Sequence, residues 1–125
     1  MTVPFHSDVL IVGASAAGWA TAQSLRHEGF SGSITLLGDE VGRAYNRPPL
    51  SKQVLVGEWE VPQAEVFAAD EPVQLDIAYR DGTAALALDL DAHRIASADG
   101  AASFGTLVIA TGARARRLPP TIDPD

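Results

Sequence analysis

The stretch Asp8-Val-Leu-Ile-Val-Gly-Ala-Ser-Ala-Ala-Gly18, continuing as Trp-Ala-Thr-Ala-Gln-Ser-Leu-Arg26, constrains this chain more than any other part of it. Val9, Leu10, Ile11 and Val12 form a continuous apolar run, the pattern of a strand buried on both faces of a parallel sheet. Gly13 ends that run. From Ala16 to Glu28 the residues are mostly good helix formers, Trp19, Ala22 and Leu25 recur at helical spacing, and Gly29 falls where a helix is capped. Strand, glycine turn and helix therefore follow one another without a gap.

Such a junction presents backbone N–H groups and the positive end of a helix dipole to an anion. The dinucleotide fingerprint G-x-G-x-x-G is matched by Gly13 and Gly18, with Ser15 in the middle slot. Ser15 is small enough to let a phosphate approach, and its hydroxyl can donate to one. A tight strand-to-helix turn without a ligand is the plainer reading; the strand before and the helix after favour a dinucleotide pyrophosphate. In dinucleotide folds a carboxylate past the second strand accepts hydrogen bonds from the ribose hydroxyls. Ser33 to Leu37 reads as that strand, and Asp39 or Glu40 as that carboxylate, Asp39 lying 26 residues after Gly13. Two solvated loop carboxylates are the alternative.

The bulk numbers narrow the class. At 125 residues the chain is one domain's worth, short for an enzyme that holds two dinucleotides. A net charge of −7 argues against nucleic acid or an anionic membrane as the main partner. There is no cysteine, which fits a reducing compartment and excludes thiol chemistry within these residues. His6, His27 and His93 show no metal-ligand spacing, so no metal site is expected. No apolar run approaches a membrane span and no signal peptide is recognisable, so a cytoplasmic location is expected.

Further along, Arg43 to Lys52 is irregular and leads to a short helix expected over Leu50 to Val56, with Pro49 in its first turn and Gly57 at its end. Lys52 is the only lysine; on the residues alone it reads as surface decoration or as an ammonium held near the nucleotide. Residues 58–71 read as loop with one short helix. Val73 to Ile77 alternates like a strand; Leu86, Leu88 and Leu90 alternate, Arg94 to Ala98 returns, and Asp99-Gly100 marks a hairpin. The expectation is an antiparallel meander, followed by a separate buried parallel strand over Leu107 to Gly112. Arg114, Arg116 and Arg117 read as a solvated tail, residues 1–113 as the N-terminal part of a nucleotide-binding domain, and residues 114–125 as a linker or truncation point.

Four segments, Val12–Gly18, Leu37–Glu40, Tyr45-Asn-Arg-Pro-Pro-Leu-Ser-Lys52 and Leu107–Arg114, resemble the FAD-dependent pyridine nucleotide oxidoreductases, and within them the ferredoxin, rubredoxin and putidaredoxin reductase branch. Arg-Pro-Pro-Leu-Ser-Lys is the most specific of these signals, and Asn46 stands where Asp is commoner. The resemblance implies an α/β, Rossmann-like FAD/NAD(P)-binding fold, a parallel sheet with an inserted antiparallel β-meander. It implies that Gly13, Ser15, Ala16, Ala17 and Gly18 line the FAD pyrophosphate and that Asp39, with Glu40 a near-equal candidate, holds the ribose. Lys52 would lie beside the isoalloxazine as the catalytic charge. Ala85 would contact the adenine end, Ala110, Thr111 and Gly112 would pass close to the cofactor, and Arg47 would reach it.

The activity implied is electron transfer from NAD(P)H through flavin to a ferredoxin-type iron–sulfur partner, since no dithiol is available in the segment from Tyr45 to Lys52 where the disulfide reductases of the superfamily carry one. No second glycine fingerprint follows Gly18, so the NAD(P)H site is expected to be absent from this chain, which alone is expected to be inactive. The alternative is an isolated FAD or adenine-nucleotide-binding module, or an inactive fragment without catalysis. Flavin monooxygenases share the opening fingerprint but not the Arg-Pro-Pro-Leu-Ser-Lys stretch.

Overall fold

The computed structural model describes residues 4–117. Six strands form one mixed sheet in the order β3-β2-β1-β6-β5-β4. The chain runs β1 (Phe5–Val12), α1 (Ala16–His27), β2 (Ile34–Leu37), a long irregular connection, α2 (Glu71–Gln74), β3 (Ile77–Arg80), β4 (Ala85–Asp89), β5 (Arg94–Ser97) and β6 (Gly100–Ile109). β3, β2, β1 and β6 are parallel, and β6, β5 and β4 are antiparallel. This is the Rossmann-like fold with a meander that the sequence implies.

β1 lies at the centre because its apolar run suits two buried faces. Val9 and Ile11 pack on one side with Trp19 and Ala22 of α1, Ile34, Leu36, Phe67 and Ile77. Leu10 and Val12 pack on the other with Leu37, Ile95, Ala102 and Phe104, so the meander supplies part of the second cover. Trp19 and Phe67 pack with ring centroids 4.5 Å apart and planes tilted by 42°, and Tyr79 lies edge-on to Phe67 at 5.2 Å. Helix α1 ends in a Schellman motif: the N–H of Gly29 (φ +86°) bonds the carbonyl of Arg26, and that of Phe30 the carbonyl of Leu25. Arg26, whose side chain is only 11% exposed, donates to the carbonyls of Phe30, Gly32, Leu75 and Asp76 at 2.7–2.8 Å and so ties α1 to the turn before β3.

Three expected elements differ. Residues 73–77 do not form a strand of the meander: Glu71–Gln74 is a helical turn with Pro72 at its start, and β3 begins at Ile77 and pairs in parallel with β2 at the sheet edge. A proline and an acidic residue in a first turn favour helix initiation over extension. The helix expected over Leu50 to Val56 is instead one 3-10 turn, Pro48–Ser51, with both prolines in its first two positions. Finally, the meander's last strand and the buried parallel strand are one element. β6 pairs with β5 through Gly100–Ser103 and with β1 from Ala102 to Ile109, so a single ten-residue strand joins both halves of the sheet.

Candidate functional site

The register aligns the carboxyl ends of the four parallel strands, Val12 with Leu37 and with Ile109, and Leu37 with Arg80. From β1 the chain winds outward through β2 to β3 and then returns to β6 on β1's other side. The gap between β1 and β6 is therefore the topological switch point, where open α/β sheets bind ligands beyond their strand ends. Gly13 follows β1 there, beside Ala110 and Thr111 after β6. The Gly13 N–H bonds the carbonyl of Leu37 at 2.9 Å, and the Ala110 N–H that of Val12 at 2.7 Å, which holds the three strand ends together.

The glycines of the fingerprint are required by contact. A Cβ on Gly13, whose φ is +111°, would lie 2.1 Å from the carbonyl oxygen of Ala110. One on Gly18 would lie 1.8 Å from the carbonyl oxygen of Gly13, so only glycine lets α1 pack this close to the strand. Ser15 caps α1 with extended backbone and makes no side-chain cap bond, and the first turn carries no acidic residue. The first N–H groups of a helix have no partner inside it. An anion thus meets free donors, a free hydroxyl and no competing carboxylate.

Three adjoining cavities open at this end of the sheet. The one beside the meander, of about 300 Å³, is walled by Gly13, Asp39, Arg47, Ala85, Thr111 and Arg114 among others. A second, of about 280 Å³, runs over the N-terminus of α1, along Ser15, Ala16, Ala17, Arg47, Ala110 and Gly112. A narrow third, of about 70 Å³, lies between the glycine turn and the loop after β2, and includes Ala14, Gly38, Asp39, Glu40 and Tyr45. The expected site residues Gly13, Ser15, Ala16, Ala17, Asp39, Glu40, Arg47, Ala85, Ala110, Thr111 and Gly112 are therefore brought together. Gly18 is buried one turn behind them and shapes the junction rather than walling it. Lys52 caps the 3-10 turn, is exposed, and walls none of the three.

The two carboxylates after β2 separate in character. Glu40 is engaged: its Oε2 accepts the Tyr45 hydroxyl at 2.7 Å and its Oε1 accepts Arg47 Nη2 at 3.1 Å. The Tyr45 hydroxyl, and then Arg47, hold the Glu40 carboxyl below its ordinary range, while the same bond pushes the Tyr45 phenol up. Asp39 walls two of the cavities and its side chain makes no hydrogen bond or ion pair among the described residues. Of the two, Asp39 has the free acceptor that a ribose needs.

Thr83, Ala84, Ala113 and Arg114 complete the groove and were not singled out for it by sequence. Thr83 is buried; its hydroxyl bonds Asp99 at 2.9 Å, and its N–H bonds the Gly38 carbonyl at 2.7 Å, which fixes the turn into β4 against the glycine loop. Small residues in turns carry no chemical signature, so nothing in the sequence marked Thr83, Ala84 or Ala113 for the groove. Arg114 is a groove wall, not merely part of a solvated tail. Among the described residues no group of three His, Cys, Asp or Glu side chains could hold a metal ion, and no helix is long and apolar enough to cross a membrane.

Residues 7–123 match the family model described as pyridine nucleotide-disulphide oxidoreductase. The chain belongs to this family. Pyridine nucleotide-disulphide oxidoreductases of this kind are FAD-dependent and use NAD(P)H. Similar proteins include rhodocoxin reductase of Rhodococcus erythropolis, 42% identical over 115 residues that make up 89% of this chain and 26% of that protein. The ferredoxin–NAD(+) reductase subunit of a benzene 1,2-dioxygenase system from Pseudomonas putida is 42% identical over 111 residues, 88% of this chain and 27% of that one. Among solved structures, a covalent putidaredoxin reductase–putidaredoxin complex superposes with a TM-score of 0.85 at 35% identity, over 90% of this chain and 27% of that one. The chain thus spans about a quarter of the length of the relatives it matches. Part of the expected linker, residues 118–125, lies outside the described residues.

Proposed function

We propose that this chain is the FAD-binding part of an NAD(P)H-dependent ferredoxin reductase. The observation that carries the proposal is the groove at the β1–β6 switch point, with anion donors at one end and the unengaged Asp39 carboxylate at the other. Its residues fit the adenosine diphosphate half of FAD. Gly13 gives the backbone room to approach, the N-terminus of α1 and the Ser15 hydroxyl donate to the diphosphate, and Arg47 and Arg114 offset its charge. Asp39 accepts from the ribose hydroxyls, and the Ala84–Ala85 backbone borders the adenine. When bound, FAD supplies the redox chemistry, taking a hydride from NAD(P)H and passing single electrons to an iron–sulfur protein. The similarity to reductases named for ferredoxin and to a putidaredoxin reductase complex supports that choice of partner. Lys52, on the exposed turn after Pro48–Ser51, is the residue we assign to the flavin ring, where its charge would stabilise added electron density.

A second reading is favoured by the position of Lys52, which walls none of the three cavities: a module that holds FAD or an adenine nucleotide without turnover of its own. Both readings require nucleotide binding. The test is to titrate the purified chain with FAD and ADP by calorimetry and, after desalting, to record the flavin absorbance. Asp39→Asn is expected to weaken both ligands about tenfold or more, the order expected of one hydrogen bond to a charged group. Lys52→Ala is expected to leave ADP affinity unchanged and to shift the bound flavin spectrum. Absence of binding to either nucleotide would overturn both readings.

A further inference from the structure

We infer that Glu40 and Tyr45 are positioning residues that hold the Arg47 guanidinium over the glycine turn, so that the groove selects a nucleoside diphosphate over the nucleoside alone. The inference rests on the nucleotide reading above and deepens it. Arg47 and Thr111 both wall all three cavities meeting at the switch point, and of the two only Arg47 carries a charge. Its side chain is 69% exposed, so packing does not hold it there. Two features do. Its backbone enters the Pro48–Pro49 turn, where the proline rings fix the chain direction, and the preceding Tyr45–Asn46 backbone is tied to Ala64 and Glu65. At the other end Glu40 Oε1 accepts Nη2.

Glu40 is in turn fixed at both ends. The Tyr45 hydroxyl occupies its second oxygen, and its carbonyl accepts the N–H of Gly82 at 2.9 Å. A guanidinium has five N–H donors in a planar fork, and this pairing uses one. The others make no hydrogen bond among the described residues and remain for a second acceptor. A diphosphate seated at the N-terminus of α1 supplies acceptor oxygens in the form the fork matches. Adenosine, ending at the ribose, supplies none. Glu40 thus acts through Arg47, whereas its neighbour Asp39 acts on the sugar, and two adjacent carboxylates divide the two jobs.

The test measures affinity for ADP and for adenosine in the unaltered chain, Glu40→Gln, Tyr45→Phe, Arg47→Ala and the double variant Glu40→Gln/Arg47→Ala. Glu40→Gln and Tyr45→Phe are expected to weaken ADP about three- to fivefold, the scale of an exposed ion pair, and to leave adenosine unchanged. In the Arg47→Ala background Glu40→Gln is expected to add nothing. Equal losses for ADP and adenosine, or additive losses in the double variant, would overturn the positioning role and return Glu40 to the ribose. Tyr45→Phe keeps the ring and the backbone pairing with Glu65, so it reads out the clamp if Glu40→Gln perturbs folding. A chain that binds ADP while both variants match it overturns the clamp alone. A chain that binds neither ligand overturns the nucleotide reading as well.

Discussion

β1 and β4 are strands of similar apolar lettering, Val-Leu-Ile-Val in one and Ala-Leu-Ala-Leu in the other, and they hold opposite positions in the molecule. In β1, Leu10 and Ile11 are 0% exposed and point to different faces, so each face of the sheet has its own core and both meet on this strand. In β4 every residue is exposed, with Leu86 at 68% and Leu88 at 41%. The difference lies in neighbours: β1 sits between two parallel strands under α1, while β4 is the free edge of the meander. Stability and the ligand groove both belong to the β1 end. The β4 end contributes the Ala85 wall and little of the core.

The largest effect is expected where β1 turns into α1. Gly18→Ala places a methyl 1.8 Å from the Gly13 carbonyl oxygen, and the opposing atom is backbone, which cannot swing aside as a side chain would. Relief requires α1 to move off the sheet, separating Trp19 and Ala22 from Ile11 and Leu36. A loss of about 3 kcal/mol or more is expected from such overpacking, read by denaturant unfolding. Wild-type stability in Gly18→Ala would show that the junction is not the tight point of the fold.

Next in size is the pair Leu10→Ala and Leu88→Ala. Leu10 is enclosed among Val12, Leu37, Ile95 and Phe104, so its removal leaves a cavity and is expected to cost about 2–5 kcal/mol. Leu88 loses a side chain already partly in water, and about 0.5 kcal/mol or less is expected. Comparable losses at the two sites would mean that β4 is covered in solution and that the contrast between the strands does not hold.

What was legible in the sequence follows the same division. The β1–α1–β2 unit is local: its apolar run, glycine turn and helix spacing decide it within about thirty residues. The groove residues Gly13, Ser15, Asp39 and Thr111 were readable because each follows a strand end. Of β6 only the end from Leu107 was, because Gly100 to Thr106 carries a weak apolar pattern and is made a strand by pairing with β1 and β5 rather than by its own composition. Residues 73–77 misled because Val73, Leu75 and Ile77 alternate as strand residues do, while Pro72 starts a helical turn ahead of them. Arg26 carries no motif at all; its four carbonyl partners come from two separate parts of the chain, the loop after α1 and the turn before β3. Asp39 and Glu40 were inseparable in sequence, and only the Tyr45 and Arg47 contacts distinguish them.

The smallest expected effect concerns the middle of β1, where Asp8 is tied to Ser33, just before β2. Its Oδ2 accepts the Ser33 N–H at 2.7 Å and the Ser33 hydroxyl at 2.9 Å, while the Asp8 N–H bonds that hydroxyl oxygen at 2.8 Å. The Ser33 backbone bond first, then its hydroxyl, hold the Asp8 carboxyl below its ordinary value. A carboxyl depressed in the folded state stabilises the fold above its unfolded pKa, about 3.9, and that contribution is lost as pH falls through the folded value. The measurement is Tm from pH 6 down to pH 2 for the wild type and Asp8→Asn. The wild type is expected to be the more stable at pH 6, and the two are expected to converge at the acid end, because a protonated Asp8 and an asparagine both lack the charge that the two Ser33 donors favour. The gap should be small, since the site is open to solvent and β1 is already anchored by its buried half. A gap that stays constant across the range would place the difference in side-chain shape rather than in titration, and would leave the charge of Asp8 without a part in the fold.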